Sequence, residues 1–364
     1  MITLPALIDL TVVLLLLYTM LRPGTMSPIG FALWSILAFT IIKIWYKNKF
    51  KFIFSRAVPL FLYGIVLCLH FTYTKDSWLS AFMYYVIFIL LFSLVYDKQR
   101  NYRSLYMALI LITIIQTVVF VPQLITALVA QNEVLAFKGL FENSNTCSIF
   151  SACTYVVSFL FVRKKPLKFF FMLICLIGVV GGMSRNAIIF IILFHVFSYL
   201  IKKYHCGKLL LCALPFILIL VARILIFTDT SSSLSLFGKS GTTGRADQLV
   251  YLAEFYSLNL FGNGREVIAD NVQFFYGVPP HNLYFFTAYG MGLLYLLTYF
   301  IFIIWLFTKL KTPTAKSFLL ALHVYYFFEP IIPFEASMSF FLPTLLIIII
   351  DKSLETPKLS PICH

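Results

Sequence analysis

Four arginines, one histidine and two asparagines are the residues in this sequence best suited to chemistry: Arg185, Arg223, Arg245, Arg265, His281, Asn145 and Asn282. A guanidinium is a planar, permanently charged fork whose paired donors match two oxygens of a phosphate. Arg245 opens a stretch with helical periodicity, and the free N–H groups and dipole of a first helical turn favour an anion as well. An imidazole titrates near neutral pH and can take a proton from a hydroxyl, which makes His281 the candidate base. These residue types point to a phosphate-bearing partner and an acid–base step.

The same residues also admit structural roles. Arg185 sits in Gly181-Gly-Met-Ser-Arg-Asn186, a tight turn from which a long side chain can snorkel to lipid headgroups. Arg223 can pair with Asp229 or Glu329. Arg265 follows Gly262-Asn-Gly264, a turn signal. His281 follows Pro279-Pro280 and can cap the helix after it. His70, His195 and His323 lie in apolar runs and are expected to be packed or bonded there.

The elements that position these residues are apolar helices. The chain is 61% hydrophobic and 12% charged, against roughly 45–50% and about 25% for a soluble domain. A bilayer accepts that surplus, and a span needs about 20 mainly apolar residues. Twelve runs qualify, at 4–22, 28–46, 57–74, 79–96, 104–121, 147–162, 169–184, 186–201, 209–227, 290–308, 317–334 and 336–350. They are continuously apolar, unlike the alternating strands of a membrane barrel. The fold class is therefore an all-α integral membrane bundle of about twelve transmembrane helices, one domain over 1–364. The first run carries no basic leader or small-residue cleavage site, and it reads as a span rather than a cleaved signal.

The net charge of +14 would suggest nucleic acid in a soluble protein. Its distribution gives another meaning. Twenty of the 28 basic residues fall on one side, in the groups Lys43–Arg56, Lys98–Arg103, Arg163–Lys168, Lys202–Lys208, Lys309–Lys316 and Lys352–Lys358. Basic loops stay in the cytoplasm, so this is the inner side, with both termini on it and no nucleic-acid partner. The other eight, Arg22, Lys75, Lys138, Arg185, Arg223, Lys239, Arg245 and Arg265, lie outside or near the outer ends of spans. Charge there is costly without a partner or substrate.

Two outer segments are long, 123–146 and 228–280. Within the second, Leu249, Leu252, Ala253, Tyr256 and Leu260 share one face of a helix predicted over Arg245–Leu260, with Thr242 or Thr243 as cap. The seven cysteines form no C-x-x-C pair and read as small apolar packers. The sequence has no Walker loop, no zincin helix and no paired outer carboxylates, and the acidic candidates within spans are Asp9, Glu329 and Glu335. This argues against an ATP-driven pump, a metal-dependent enzyme and a proton-coupled transporter. Neither metal nor cofactor is expected.

The outer-face motifs resemble one family. Gly139-Leu-Phe-Glu-Asn-Ser-Asn145 resembles the G-x-F-x-x-x-N segment of the bacterial O-antigen polymerase and O-antigen ligase family, and Met183-Ser-Arg-Asn186 resembles its S-R turn. Thr243-Gly-Arg-Ala246 and Asn259-Leu-Phe-Gly-Asn-Gly264 resemble its G-R helix and G-x-G turn. His281-Asn-Leu-Tyr284, then Gly290-Met-Gly292, resembles its H-N-x-Y segment and the glycine-bearing span after it. The likeness covers about residues 139–292. It implies a glycosyltransferase of the bacterial inner membrane that uses a polyprenyl-diphosphate-linked oligosaccharide at the periplasmic face. It also implies that Arg185 and Arg245 hold the diphosphate and that His281 is the base on the acceptor hydroxyl. Arg223, Arg265, Asn145, Asn282 and Tyr284 are the further substrate-binding candidates. Besides the lipid-linked substrate and membrane lipids, a chain-length regulator protein is an expected partner. Polymerase is favoured over ligase because the chain is compact and extremely apolar. A glycolipid flippase or exporter, the alternative from another class, should carry charge deep along a central cavity rather than at one face.

The topology is open to direct test. In a cysteine-free background, single cysteines placed in 228–280 should react with impermeant maleimide added from outside. Labelling only after permeabilisation overturns the arrangement.

Overall fold

Backbone polar groups inside an apolar medium must be satisfied within their own segment, which a helix does. In the computed structural model every regular element among the described residues is accordingly helical. The structure describes 58–74, 103–129, 141, 144–228, 245–277, 280, 282–329 and 338–355, with scattered positions between 28 and 92. Among the described residues three helices contain stretches long and apolar enough to cross a membrane, at Leu105–Pro122, Ser144–Phe161 and Arg185–Tyr204, and shorter apolar helices span Val58–Thr74, Gly207–Leu220 and Leu293–Lys309. The spans expected at 4–22, 28–46 and 79–96 lie wholly or largely outside the described residues.

In chain order the helices are α1 (Val58–Thr74), α2 (Arg103–Val129), α3 (Ser144–Phe161), α4 (Lys165–Gly181), α5 (Arg185–Tyr204) and α6 (Gly207–Thr228). They continue as α7 (Arg245–Phe255), α8 (Arg265–Tyr276), α9 (Leu283–Phe286) with a π-turn at Thr287–Met291, α10 (Leu293–Lys309), α11 (Pro313–Phe327) and α12 (Met338–Glu355). The chain divides into two compact units: unit 1 is Met1–Ile53, Leu90–Ile192 and Ala336–His364, and unit 2 is Phe54–Ile89 and Leu193–Glu335. Helix α5 passes from the first into the second.

In unit 1, α2, α3 and α4 all pack on one another, α3 most closely on α4. Its buried face is polar for so apolar a chain, with Ser148, Ser151, Thr154 and Ser158 all buried. Small residues let helix backbones approach closely where the surroundings are as apolar as the side chains. Ser148 donates to the Val179 carbonyl across the pair at 3.3 Å. A Cβ on Gly182 would meet Ser148 Oγ and would lie 2.7 Å from the Ser144 carbonyl oxygen. On α2, Thr117 Oγ1 donates to Thr113 O at 2.9 Å and reaches Ile174 O of α4 at 3.4 Å. Tyr106 near the start of α2 stacks on Phe161 at the end of α3 and hydrogen-bonds Ser353 near the end of α12 at 2.9 Å. These contacts gather Arg103, the Arg163–Lys168 group and Lys352 at one end of unit 1, and Asn145 and Arg185 at the other.

Unit 2 has the same polarity. A Cβ on Gly207 would lie 3.2 Å from the Phe307 ring, over which Lys316 Nζ also sits, 5.3 Å from the ring centroid. The Lys202–Lys208 and Lys309–Lys316 groups therefore share an end. Helix α10 packs on α1, with Tyr63 against Tyr295, and α11 packs on α6. His323 is fully enclosed, bonded through Nδ1 to Leu319 O at 2.8 Å and through Nε2 to Tyr299 OH at 3.1 Å.

The helix ends differ from the sequence reading in four places. Helix α2 continues through Pro122 to Val129, into the outer segment expected at 123–146. One missing N–H is a single lost bond, and it did not end the helix. Helix α7 stops at Phe255 instead of reaching Leu260. Asn259 Oδ1 accepts from the N–H groups of Phe261 and Gly262, and such a side chain competes with helical bonding. Ala253 and Leu260, assigned to the packed face, are exposed. Helix α8 has no counterpart in the expected elements, and the helix expected at 290–308 is interrupted at Gly292. The proposed caps Thr242 and Thr243 lie outside the described residues.

Close packing of α3 on α4 predicts that Gly182→Ala is more damaging than Gly178→Ala. The first meets a backbone oxygen, whereas the second meets Ser151 Oγ at 2.6 Å, which can rotate away. Overpacking of the first kind costs about 1–3 kcal/mol. Unfolding titrations in mixed detergent should rank the two in that order.

Candidate functional site

The part of unit 2 that the sequence marked most heavily is built around a broken helix. Asn282 begins it, its side-chain oxygen accepting from Tyr284 N at 3.0 Å and Phe285 N at 3.1 Å. The helix end assigned to a cap by His281 is thus capped by the next residue. One turn later the helix widens into a π-turn, closed by Gly292 N donating to Thr287 O at 3.0 Å, and Gly292 leaves it at φ 100°. Widening of this kind is uncommon and gathers at functional sites.

The break leaves backbone groups without helical partners, and the loop from Asn259 to Gly264 takes them up. Asn263 N donates to Tyr289 O at 2.9 Å and Gly264 N to Gly290 O at 3.1 Å. In return Leu293 N and Leu294 N, in the first turn of α10, donate to Asn259 O at 2.9 Å and Leu260 O at 3.1 Å. The Asn263 amide adds a second donor to Tyr289 O at 2.9 Å, and Asn259 Nδ2 holds Asn263 Oδ1 at 3.1 Å. From α1, His70 Nδ1 hydrogen-bonds Phe261 O at 2.6 Å. The approach is too close for side chains. A Cβ on Gly262 would strike the Gly290 carbonyl, and one on Gly292 the Leu260 carbonyl.

This loop delivers Arg265 to the start of α8, where a Cβ on Gly290 would lie 3.4 Å from its Cα. The Arg265 guanidinium is 13% exposed and lies 3.9 Å from the Glu266 carboxylate. Tyr284 is buried, stacked on Phe300, with its hydroxyl 3.4 Å from His323 O. Beside the break is a cavity of about 280 Å³, lined by carbon-rich side chains that include Pro215, Leu218, Leu258, Tyr284, Tyr289 and Phe300. It can take an apolar chain and offers almost nothing to a polar one.

Arg265, Asn282 and Tyr284 are thus brought around one structural feature of unit 2. Asn145 and Arg185 share one end of unit 1, Asn145 in the first turn of α3 and Arg185 opening α5 after Ser184, whose hydroxyl accepts from Ala187 N at 3.4 Å. Met183 turns the chain there at φ 51°. His281 lies outside the described residues, as do the side chains of Arg223 and Arg245, although α6 runs through the first and α7 begins at the second. Among the described residues no three His, Cys, Asp or Glu side chains are grouped to hold a metal ion. Sequence reasoning missed α8 and the break. Ile268 and Val272 at i, i+4, Glu266 in the first turn and Gly277 as a left-handed C-cap were the available signals.

No protein-family model matches the chain, and no curated protein matches it in sequence.

The reciprocal bonding predicts a steep contrast between two glycines. Gly292→Ala combines a positive φ with a backbone collision and should lower stability by about 3 kcal/mol or more. Gly277, at φ 68° with open space around it, should cost only about 1 kcal/mol as alanine. Melting temperatures in the same detergent separate the two.

Proposed function

We propose that this chain is a multi-pass glycosyltransferase of the bacterial inner membrane, an O-antigen or related surface-polysaccharide polymerase. In this reading it joins polyprenyl-diphosphate-linked repeat units at the periplasmic face. Twelve spans, cytoplasmic termini and a periplasmic 228–280 belong to the same proposal. The observation that carries it is the meeting of two motifs of the resemblance. Asn259–Gly264 and Gly290–Gly292 are bonded backbone to backbone, with Arg265 and Asn282 on the segments that flank them.

The chemistry follows from the residue types. The acceptor hydroxyl attacks the anomeric carbon of the donor sugar, forming the new glycosidic C–O bond. The bond from that carbon to the diphosphate oxygen breaks, and its electron pair leaves with the polyprenyl diphosphate. The hydroxyl proton passes to His281. Arg185 and Arg245 hold the diphosphate and neutralise the charge that grows on it, so the leaving group is stabilised by fixed donors. Positioning of hydroxyl and anomeric carbon supplies the remainder. The apolar cavity beside the break suits the hydrocarbon tail of such a donor.

Reconstitution with a lipid-linked repeat unit tests the proposal. Extended ladders are expected, whereas transfer to lipid A core means a ligase and unchanged glycan removes both. Arg185→Lys and Arg245→Lys should each slow extension by about 10²–10³, since an ammonium cannot form the bidentate fork. His281→Ala should cost roughly 10²–10⁴. All three proteins should accumulate and melt normally. Near-normal ladders from all three, or loss only through loss of protein, sinks the site assignment.

A further inference from the structure

Helices α7 and α8 carry a face that the transfer chemistry does not use. They are anchored from beneath by Leu252, Ile268 and Val272, packed with Phe286 and Tyr289. Above that core lies a cluster of aromatic rings centred on Tyr251. Phe255 is 4.7 Å from it, Phe275 5.3 Å, Tyr276 5.8 Å and Tyr256 6.1 Å between ring centroids. Burial would be the normal fate of such rings. Here Phe255 is 68% exposed, Phe275 62% and the adjoining Phe274 83%.

The rim of the cluster is polar and acidic. Asp247, Glu254, Glu266 and Asp270 are all exposed, against two arginines on the same helices. Glu266, Asp270 and Phe274 follow one another at i, i+4 and i+8 on the exposed side of α8. The Asn271 amide donates to Tyr256 OH at 2.6 Å, and Tyr276 OH donates to Asp247 O at 3.2 Å. Burial first, then the carboxylates of Asp247 and Glu254, push the Tyr276 phenol above its ordinary range.

Among the partners that use exposed aromatic rings are a lipid surface and a sugar. A lipid surface would accept the rings, but would draw the carboxylates of Asp270 and Glu266 towards its phosphates. A sugar uses both features. Its ring C–H groups, made slightly positive by neighbouring oxygens, fit the negative face of an aromatic ring. Its hydroxyls donate to carboxylates and accept from amides and phenols. We infer that the α7–α8 face, with Tyr251, Phe255 and Phe275 as stacking surface and Asp247, Glu254 and Asn271 as hydroxyl partners, is a binding platform for the glycan chain, made of residues other than the arginine–histidine transfer groups. The inference rests on the reading of this chain as a glycan-extending enzyme, which it deepens by giving the growing product a place to be held.

The full-length protein in nanodiscs and the oligosaccharide released from the host's own surface polysaccharide, free of lipid and diphosphate, provide the test. Saturation-transfer NMR should show the oligosaccharide receiving magnetisation from aromatic protons. Tyr251→Ala, alone and with Phe275→Ala, should weaken binding roughly tenfold or more, the factor carried by a lost aromatic contact. The same variants should yield shorter ladders at an unchanged initial rate, and Tyr251→Phe should keep binding. Absence of transfer, or binding indifferent to both alanines, overturns the platform. So does quenching of a Phe274→Trp reporter by brominated lipids, which would place the face in the bilayer. If the platform fails while ladders still form, the transferase reading stands alone. If the glycan binds but no lipid-linked repeat is ever extended, the transferase reading fails and the binding face remains.

Discussion

The exchange of backbone hydrogen bonds between Asn259–Gly264 and the break at Thr287–Leu294 is the constraint on which unit 2 depends. A helix interrupted in apolar surroundings exposes carbonyls and N–H groups at the interruption, and each costs several kcal/mol if left unmet. Here the debt is met reciprocally. Carbonyls freed by the π-turn receive the N–H groups of the loop, and the first-turn N–H groups of α10 find the loop's carbonyls. The contact requires backbone against backbone, which is why glycine stands at 262 and 292. His70 ties the arrangement to α1, and Arg265 inherits its position from it.

Unit 1 solves a different problem. Apolar side chains give helices little reason to prefer one another to lipid, so association relies on close approach and hydrogen bonds. Helix α3 supplies both, with serines and threonines along its buried face and glycines of α4 opposite. The result is a tightly seated pair whose far turn carries Arg185 and whose helix start carries Asn145. Under the proposed function this rigidity has a use, because a diphosphate is best stabilised by cations that do not need to reorganise as charge develops.

Both units separate their charge along the helices. Within each unit the described basic groups collect at one end, and the described arginine and asparagine candidates lie towards the other. The aromatic face of α7 and α8 stands apart from both patterns. Its rings are exposed and its rim acidic, which places it among recognition surfaces more readily than among packing surfaces.

Hydropathy is a property of short windows, and the sequence by itself therefore determined that the chain is helical, that several helices are apolar enough for a membrane, and that a less apolar helix begins at Arg245. Local rules also marked the turn at Gly262-Asn-Gly264, since few residues other than glycine accept a positive φ. What the tertiary structure decided was what that turn is for. The break at Gly292 and the placement of Arg265 depend on bonds between residues some thirty positions apart, to which no window of sequence refers. Helix α8 was hidden for a related reason. Its buried side is only Ile268 and Val272, and its exposed side includes Phe274 and Phe275, so its pattern becomes legible only once α7 and Tyr289 are in place against it.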